Sequence, residues 1–127
     1  MKLSPCLNFN GQCEAAFKFY EQCLGGRIQT MMTWGDSPMA DQVPSEWRDK
    51  IIHASMIVGE TSLLASDAPP DRYEAPTGMS VTIHIKGVAD AERITPWRKT
   101  GQFKCRLRKR SGPQVSACAS IDSAYRG

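Results

Sequence analysis

Pro5-Cys6-Leu7-Asn8-Phe9-Asn10-Gly11-Gln12-Cys13-Glu14-Ala15-Ala16-Phe17-Lys18-Phe19-Tyr20-Glu21-Gln22-Cys23-Leu24-Gly25-Gly26 changes its period part-way along, and that change sets the fold class. Residues 5–9 alternate apolar and polar, which predicts a short strand with Leu7 and Phe9 on one side. Asn10-Gly11 then signals a helix start, with Asn10 placed to accept from an orphan backbone N–H and Glu14 suited to the first turn. Cys13, Ala16, Phe17, Tyr20 and Leu24 recur at steps of three and four and form one apolar stripe. Lys18, Glu21 and Gln22 fall on the opposite side. Gly25-Gly26 ends the helix, because glycine adopts the left-handed conformation at little cost.

Outward from this segment the chain stays well patterned to about residue 94. Residues 27–34 read as a strand with Ile28, Thr30, Met32 and Trp34 on one side. A loop with Pro38 and Pro44 follows, and Ser45-Glu46-Trp47-Arg48 suits one helical turn. Residues 51–58 predict a strand, Gly59-Glu60 a turn, and residues 61–66 the hairpin partner. A proline-rich loop covers residues 67–78. Residues 79–86 alternate again, with Val81, Ile83 and Ile85 inward, and residues 88–94 begin a second helix. The order is β-α-β-β-β, then β-α, an α+β arrangement of one complete module and the start of another.

The charge distribution breaks at the same place. The chain has 127 residues and a formal net charge of +3. Residues 1–94 carry 8 basic and 12 acidic side chains, whereas residues 95–127 carry 8 basic side chains and one acid, Asp122. The first part therefore has a net charge of −4 and the second +7. The length gives one ordinary domain, and the 41% apolar content excludes a fully disordered chain. No apolar run reaches the roughly 18 residues of a membrane helix. Met1-Lys2-Leu3 leads straight into polar residues, so a signal peptide is not expected and the cytoplasm is the expected compartment. Five cysteines without Cys-x-x-Cys spacing predict reduced thiols.

Several stretches carry a family resemblance: residues 5–11, Ala16-Phe17-Lys18-Phe19-Tyr20, Leu24-Gly25-Gly26, Gly35-Asp36-Ser37-Pro38, Ile52-His53-Ala54 and Ser66-Asp67-Ala68-Pro69-Pro70. Together they resemble the PhnB-like branch of the glyoxalase/bleomycin-resistance (vicinal oxygen chelate) superfamily over residues 1–94. The resemblance implies two βαβββ modules, often a dimer, and a small-molecule cavity. It does not by itself imply a reaction, so an enzyme and a binding protein both stay open. The branch also carries a 3-demethylubiquinone methyltransferase label. The chain has no Gly-rich first turn and no parallel-sheet pattern, so that label implies no activity here.

Residues 95–127 depart from the family. Its second module usually ends in a pattern close to A-L-A-E-x-G-x-V-x-M-P-L-x-x-T-F-W-x-x-x-F-G-M-x-x-D-R-F-G-x-P-W. The genetic code recovers this pattern when the last base of each codon is read with the first two of the next. Residues 116–127 then permit G-M-R-I-D-R-F-G-V-P-W, residues 104–112 permit M-P-L-A-E-T-F-W, and residues 96–104 permit L-A-E-N-G-T-V-Q-M. One missing base near Ile94-Thr95 produces this outcome; the alternative is a divergent basic tail. Either way, Arg106, Arg108, Lys109 and Arg110 are read as interrupting any apolar period, and the segment is expected to be mostly irregular. An exposed sheet edge should remain where strands are missing.

The candidate ligand-binding residues are His53, Ser66, Asp67 and Trp34. His53 offers an imidazole towards a cavity, against the plainer reading of a satisfied sheet histidine. Ser66 and Asp67 end a strand at a cavity mouth, although Asp67 can equally cap loop backbone. Trp34, with Trp47, can wall a flat ligand or simply pack. Metal-binding members of the superfamily use His, Glu or Gln from both modules. Here Ser4, Cys6 and Asn8 are weak ligands, and His53 and His84 stand on separate strands, so neither a metal nor another cofactor is expected. Cys13 and Cys23 have no adjacent base and are not expected to be nucleophiles. The expected partner is a small molecule, with a homodimer as the structural alternative. The run Lys104-Cys105-Arg106-Leu107-Arg108-Lys109-Arg110 attracts phosphate, but lacks aromatic interleaving, so nucleic acid is not the expected partner.

Overall fold

A computed structural model describes residues 1–75, 81–85, 87, 89–90, 92–94, 103–109 and 115–121. The chain divides into two compact units, Met1–Glu74 and Ala75–Gly127.

The first unit is a four-stranded sheet carrying one helix. Its elements are β1 (Cys6–Phe9), α1 (Cys13–Leu24), β2 (Arg27–Thr33), β3 (Ile51–Val58) and β4 (Thr61–Asp67), with single 3₁₀ turns at Ala40–Gln42 and Ser45–Trp47. The spatial order is β1-β4-β3-β2. β1 runs parallel to β4, and the β2–β3 and β3–β4 pairs are antiparallel. This is the expected βαβββ module. Gly59 has φ 59° and turns the β3–β4 hairpin, in which Val58 pairs with Thr61.

One face of the sheet packs under α1. Leu7, Ala65, Ala54 and Met56 are buried there beneath Cys13, Ala16, Phe17, Tyr20 and Cys23 of the helix. The stripe differs from the sequence reading at its end, where Cys23 is buried and Leu24 only half-buried. Gly25 closes the helix with φ 65°. Gly26 serves packing instead, since a Cβ there would stand 2.8 Å from Val58 Cγ2 and 2.9 Å from the Ile57 carbonyl oxygen. The Gly-Gly pair thus combines a left-handed cap with a close approach of backbone to sheet.

Strand β2 corrects the sequence reading. Thr30 and Met32 are exposed, while Ile28 pairs with Met56 and Met31 with Ala54. The register shifts between Ile28 and Thr30, so one extra residue switches which side chains point inward. Simple alternation along the sequence cannot anticipate that bulge.

The second unit contains a three-stranded sheet in the order β5-β7-β6, with β5 at Val81–Ile85, β6 at Phe103–Lys109 and β7 at Val115–Ile121. Both strand pairs are antiparallel. Residues 89–90 and 92–94 are helical, and Ile94 is buried. The two strands in the basic segment correct the expectation of an irregular course. The physical reason is visible in the sequence: Phe103, Cys105 and Leu107 alternate with Lys104, Arg106 and Arg108. Lys104, Arg106 and Arg108 therefore keep a two-residue period, and Lys109, the last residue of β6, is where it breaks. Residues 95–102, 110–114 and 122–127, to which the same expectation applied, lie outside the described residues.

Candidate functional site: the helix-free face of the first sheet

Asp67 sits at the end of β4 and is 1% exposed. Its Oδ1 accepts the backbone N–H of Gly11 at 2.9 Å and of Cys13 at 3.0 Å, and its Oδ2 accepts the N–H of Ile51 at 2.9 Å. The Asp67 carbonyl oxygen accepts the indole N–H of Trp34 at 3.1 Å. One residue thus ties together the start of α1, the start of β3 and the end of β2. The start of α1 is capped by this carboxylate from β4, and the structure shows no side-chain cap from the Asn10 side of the turn. Burial pushes the Asp67 carboxyl above its ordinary range, and the three N–H donors with the nearby Lys50 charge pull it part of the way back. Burial also raises the Cys13 thiol, assisted by the adjacent Asp67 charge, and raises the Tyr20 hydroxyl and the Cys23 thiol. These groups form a closed structural cluster.

Asp67 and Trp34 therefore stand apart from the exposed surface. Trp34 is 7% exposed and its N–H is engaged by Asp67. Trp47 is half-buried beside the Gly11 turn, where a Cβ on Gly11 would meet its Cη2 at 3.4 Å. Neither tryptophan lies on the face opposite α1.

His53 and Ser66 do reach that face. Ala54 pairs with Ala65 and both are fully buried under the helix, so the residues one step away come out on the other side. Those residues are His53 and Ser66. Asn8 pairs with Ser66 and Met32 pairs with His53. One transverse row consequently crosses all four strands: Asn8, Ser66, His53, Met32. The next row is Cys6, Leu64, Ser55 and Thr30, through the Cys6–Leu64, Ser55–Leu64 and Thr30–Ser55 pairs. Asn8, His53 and Met32 are exposed, and Ser66 is half-buried. The Ser66 hydroxyl donates to Asn8 Oδ1 at 3.0 Å. Sequence reasoning weighs Asn8 only as a weak metal ligand and does not place it on this face with His53 and Ser66. Its signal is the Cys6/Asn8 alternation against Leu7/Phe9, which puts it opposite the core.

The row offers hydroxyl, amide and imidazole groups and no carboxylate. Among the described residues no group of three or more His, Cys, Asp and Glu side chains is arranged to hold a metal ion. No helix among them is long and apolar enough to cross a membrane.

No family model matches the chain. Individual proteins do. A crystal structure of protein PA1353 from Pseudomonas aeruginosa superposes with a TM-score of 0.71 at 38% identity, covering 87% of this chain and 81% of that one. Protein YjdN of Escherichia coli (strain K12) is 27% identical over 101 residues, spanning 73% of this chain and 69% of YjdN. A PhnB protein from Bacillus cereus, which carries the methyltransferase label, shares the fold with a TM-score of 0.58 at 18% identity over 84% of this chain and 81% of its own. The chain belongs to the same family as PA1353 and has the PhnB-like fold. The helix-side face of the first sheet is filled by its own core.

Proposed function

We propose that this PhnB-like chain binds a small molecule on the helix-free face of its first sheet, through Asn8, Ser66 and His53. The observation that carries the reading is the transverse row, in which three polar side chains from three strands meet on the face opposite the core. A polar row of this kind on rigid strands holds hydrogen-bonding groups at the spacing of neighbouring strands, about 4.8 Å.

We further propose that residues 95–127 are an out-of-frame reading of the second module, so that ligand binding by this chain is impaired. Support comes from the single constant base offset that recovers the family pattern over three stretches. The change from a net charge of −4 to +7 at residue 94 agrees with it.

The test compares the 127-residue chain with a chain whose frame is restored by one base inserted at the Thr95 codon. Both are screened by thermal shift with metals, small aldehydes and aromatic ligands, and hits are titrated. The expected result is saturable binding by the restored chain, weakened by His53→Ala and at least about tenfold weaker in the 127-residue chain. Equal affinity in the two chains refutes the impairment. Binding that ignores His53→Ala and Asn8→Leu alike refutes the site.

A further inference from the structure

The proposed face has a marked bias in its chemistry. Residues 1–75 contain ten acidic and six basic side chains, yet the four strands hold a single acid, Asp67, and it is buried on the helix side. The helix-free face thus carries no carboxylate in a unit whose net charge is −4. Arg27, exposed and paired with Ile57, places a cation at its β2 rim.

The Ser66–Asn8 hydrogen bond adds a second bias. The Asn8 carbonyl oxygen accepts the Ser66 hydroxyl, so the amide's acceptor is engaged and its nitrogen, with two N–H groups, is left to face outward. In the same row, beyond Ser66, stands the His53 imidazole, and one row on are the Ser55 and Thr30 hydroxyls. The amide nitrogen offers only donors outward, and the ring and the hydroxyls can each donate as well as accept. Next to this row lie apolar groups: Met32 is 41% exposed, Leu64 is half-buried, and Ile57 is 40% exposed. A cation would find no countercharge here, whereas a carboxylate would find donors at one end and an apolar bed at the other.

Resting on the reading that this face is the ligand site, we infer that its ligand class is a small carboxylate with a compact apolar body. The carboxylate engages the Asn8 amide nitrogen and the His53 ring, and the body lies over Leu64 and Met32.

The experiment uses the 127-residue chain labelled with ¹⁵N and titrated at millimolar concentration with benzoate, benzyl alcohol and benzylamine, read from backbone amide shifts. Benzoate is expected to give saturable shifts at Asn8, His53 and Ser66, at least about tenfold tighter than benzylamine. Asn8→Asp, nearly isosteric, is expected to reverse that order, and Ser66→Ala, which frees the amide to rotate, to weaken benzoate severalfold with little change for benzyl alcohol. Benzylamine binding to this face as tightly as benzoate, or an order unchanged by Asn8→Asp, overturns the inference while leaving the face as a ligand site. If none of the three probes shifts an amide of this face in either the 127-residue chain or the frame-restored chain, the site reading fails, and the inference falls with it.

Discussion

Replacing Asp67 by asparagine removes one negative charge and one acceptor while keeping the side chain's shape. Three backbone N–H groups converge on the two carboxylate oxygens, two on Oδ1 and one on Oδ2. An asparagine can turn its oxygen towards Gly11 and Cys13, but its NH₂ then faces the Ile51 N–H, donor against donor. One buried N–H left without a partner costs about 1–3 kcal/mol, and hydrogen bonds to a charged acceptor contribute about 1.5–3 kcal/mol each against roughly 1 for a neutral one. Relief of the buried charge offsets part of that loss. The expected net destabilisation is about 2 kcal/mol for Asp67→Asn and about 3–5 kcal/mol for Asp67→Ala, which orphans all three donors and opens a cavity. Urea unfolding followed by circular dichroism and tryptophan emission measures both. A change below about 0.5 kcal/mol for Asp67→Asn would refute the claim that this carboxylate joins the three elements.

The pH dependence of the same pair of proteins tests the cause of the shift. Burial raises the folded-state carboxyl above its ordinary value of 3.8. The folded chain therefore holds this proton more tightly than the unfolded chain does. Its contribution to stability is fully present below the ordinary value and is lost as pH rises from there through the raised folded value. The stability advantage of wild type over Asp67→Asn should accordingly shrink across that window and then stay level towards neutral pH. An advantage that instead grows with pH would show that the three donors outweigh burial.

Three further outcomes follow from the same packing. Gly26→Ala should cost about 1–3 kcal/mol in urea unfolding because its Cβ would press on Val58 and the Ile57 carbonyl, whereas Gly59→Ala, with open space but φ 59°, should cost only about 1–2 kcal/mol. Brief alkylation of the native chain, mapped by mass spectrometry, should modify the exposed Cys6 and spare Cys13, whose thiol is buried and raised; equal labelling of the two would contradict the burial of the helix face. Trp34→Phe removes the indole N–H that the Asp67 carbonyl accepts and should lower stability by about 1–2 kcal/mol, with the midpoint unchanged if that hydrogen bond contributes nothing.

The elements of the first unit are legible because each is written in local pattern: the 3.6-residue stripe of α1, the Gly59-Glu60 turn, and the alternation of β1 and β3. What escapes the sequence are features made by residues far apart in it. The helix start looks self-sufficient with Asn10, but its N–H groups go to Asp67, more than fifty residues away. The bulge in β2 reverses Thr30 and Met32, since a register shift is set by the partner strand. For the site, chemistry points to His53 and Ser66 and overlooks Asn8 for the same reason: residue type is weighed before face. Asp67 and Trp34 are drawn into the site by their residue types, although what they bind is backbone.

That contrast between local and distant dependence also bears on the basic segment. A two-residue period over six residues is a short condition, satisfied by Phe103, Cys105 and Leu107 alternating with Lys104, Arg106 and Arg108, and unselected sequence meets it easily. Strands at Phe103–Lys109 and Val115–Ile121 are therefore compatible with an out-of-frame reading. What such a reading does not readily supply is interlocking of the kind seen in the first unit, where Asp67 completes both Cys13 and Ile51 and Gly26 makes room for Val58. The expected consequence is unequal cooperativity within one chain: amide hydrogens of Ala54 and Met56, deep in the first sheet, should exchange at the rate of global unfolding, and those of Leu107 and Ala117 orders of magnitude faster. Comparable protection in both sheets would mean that the second is held as firmly as the first, a degree of order that residues never selected as protein do not achieve.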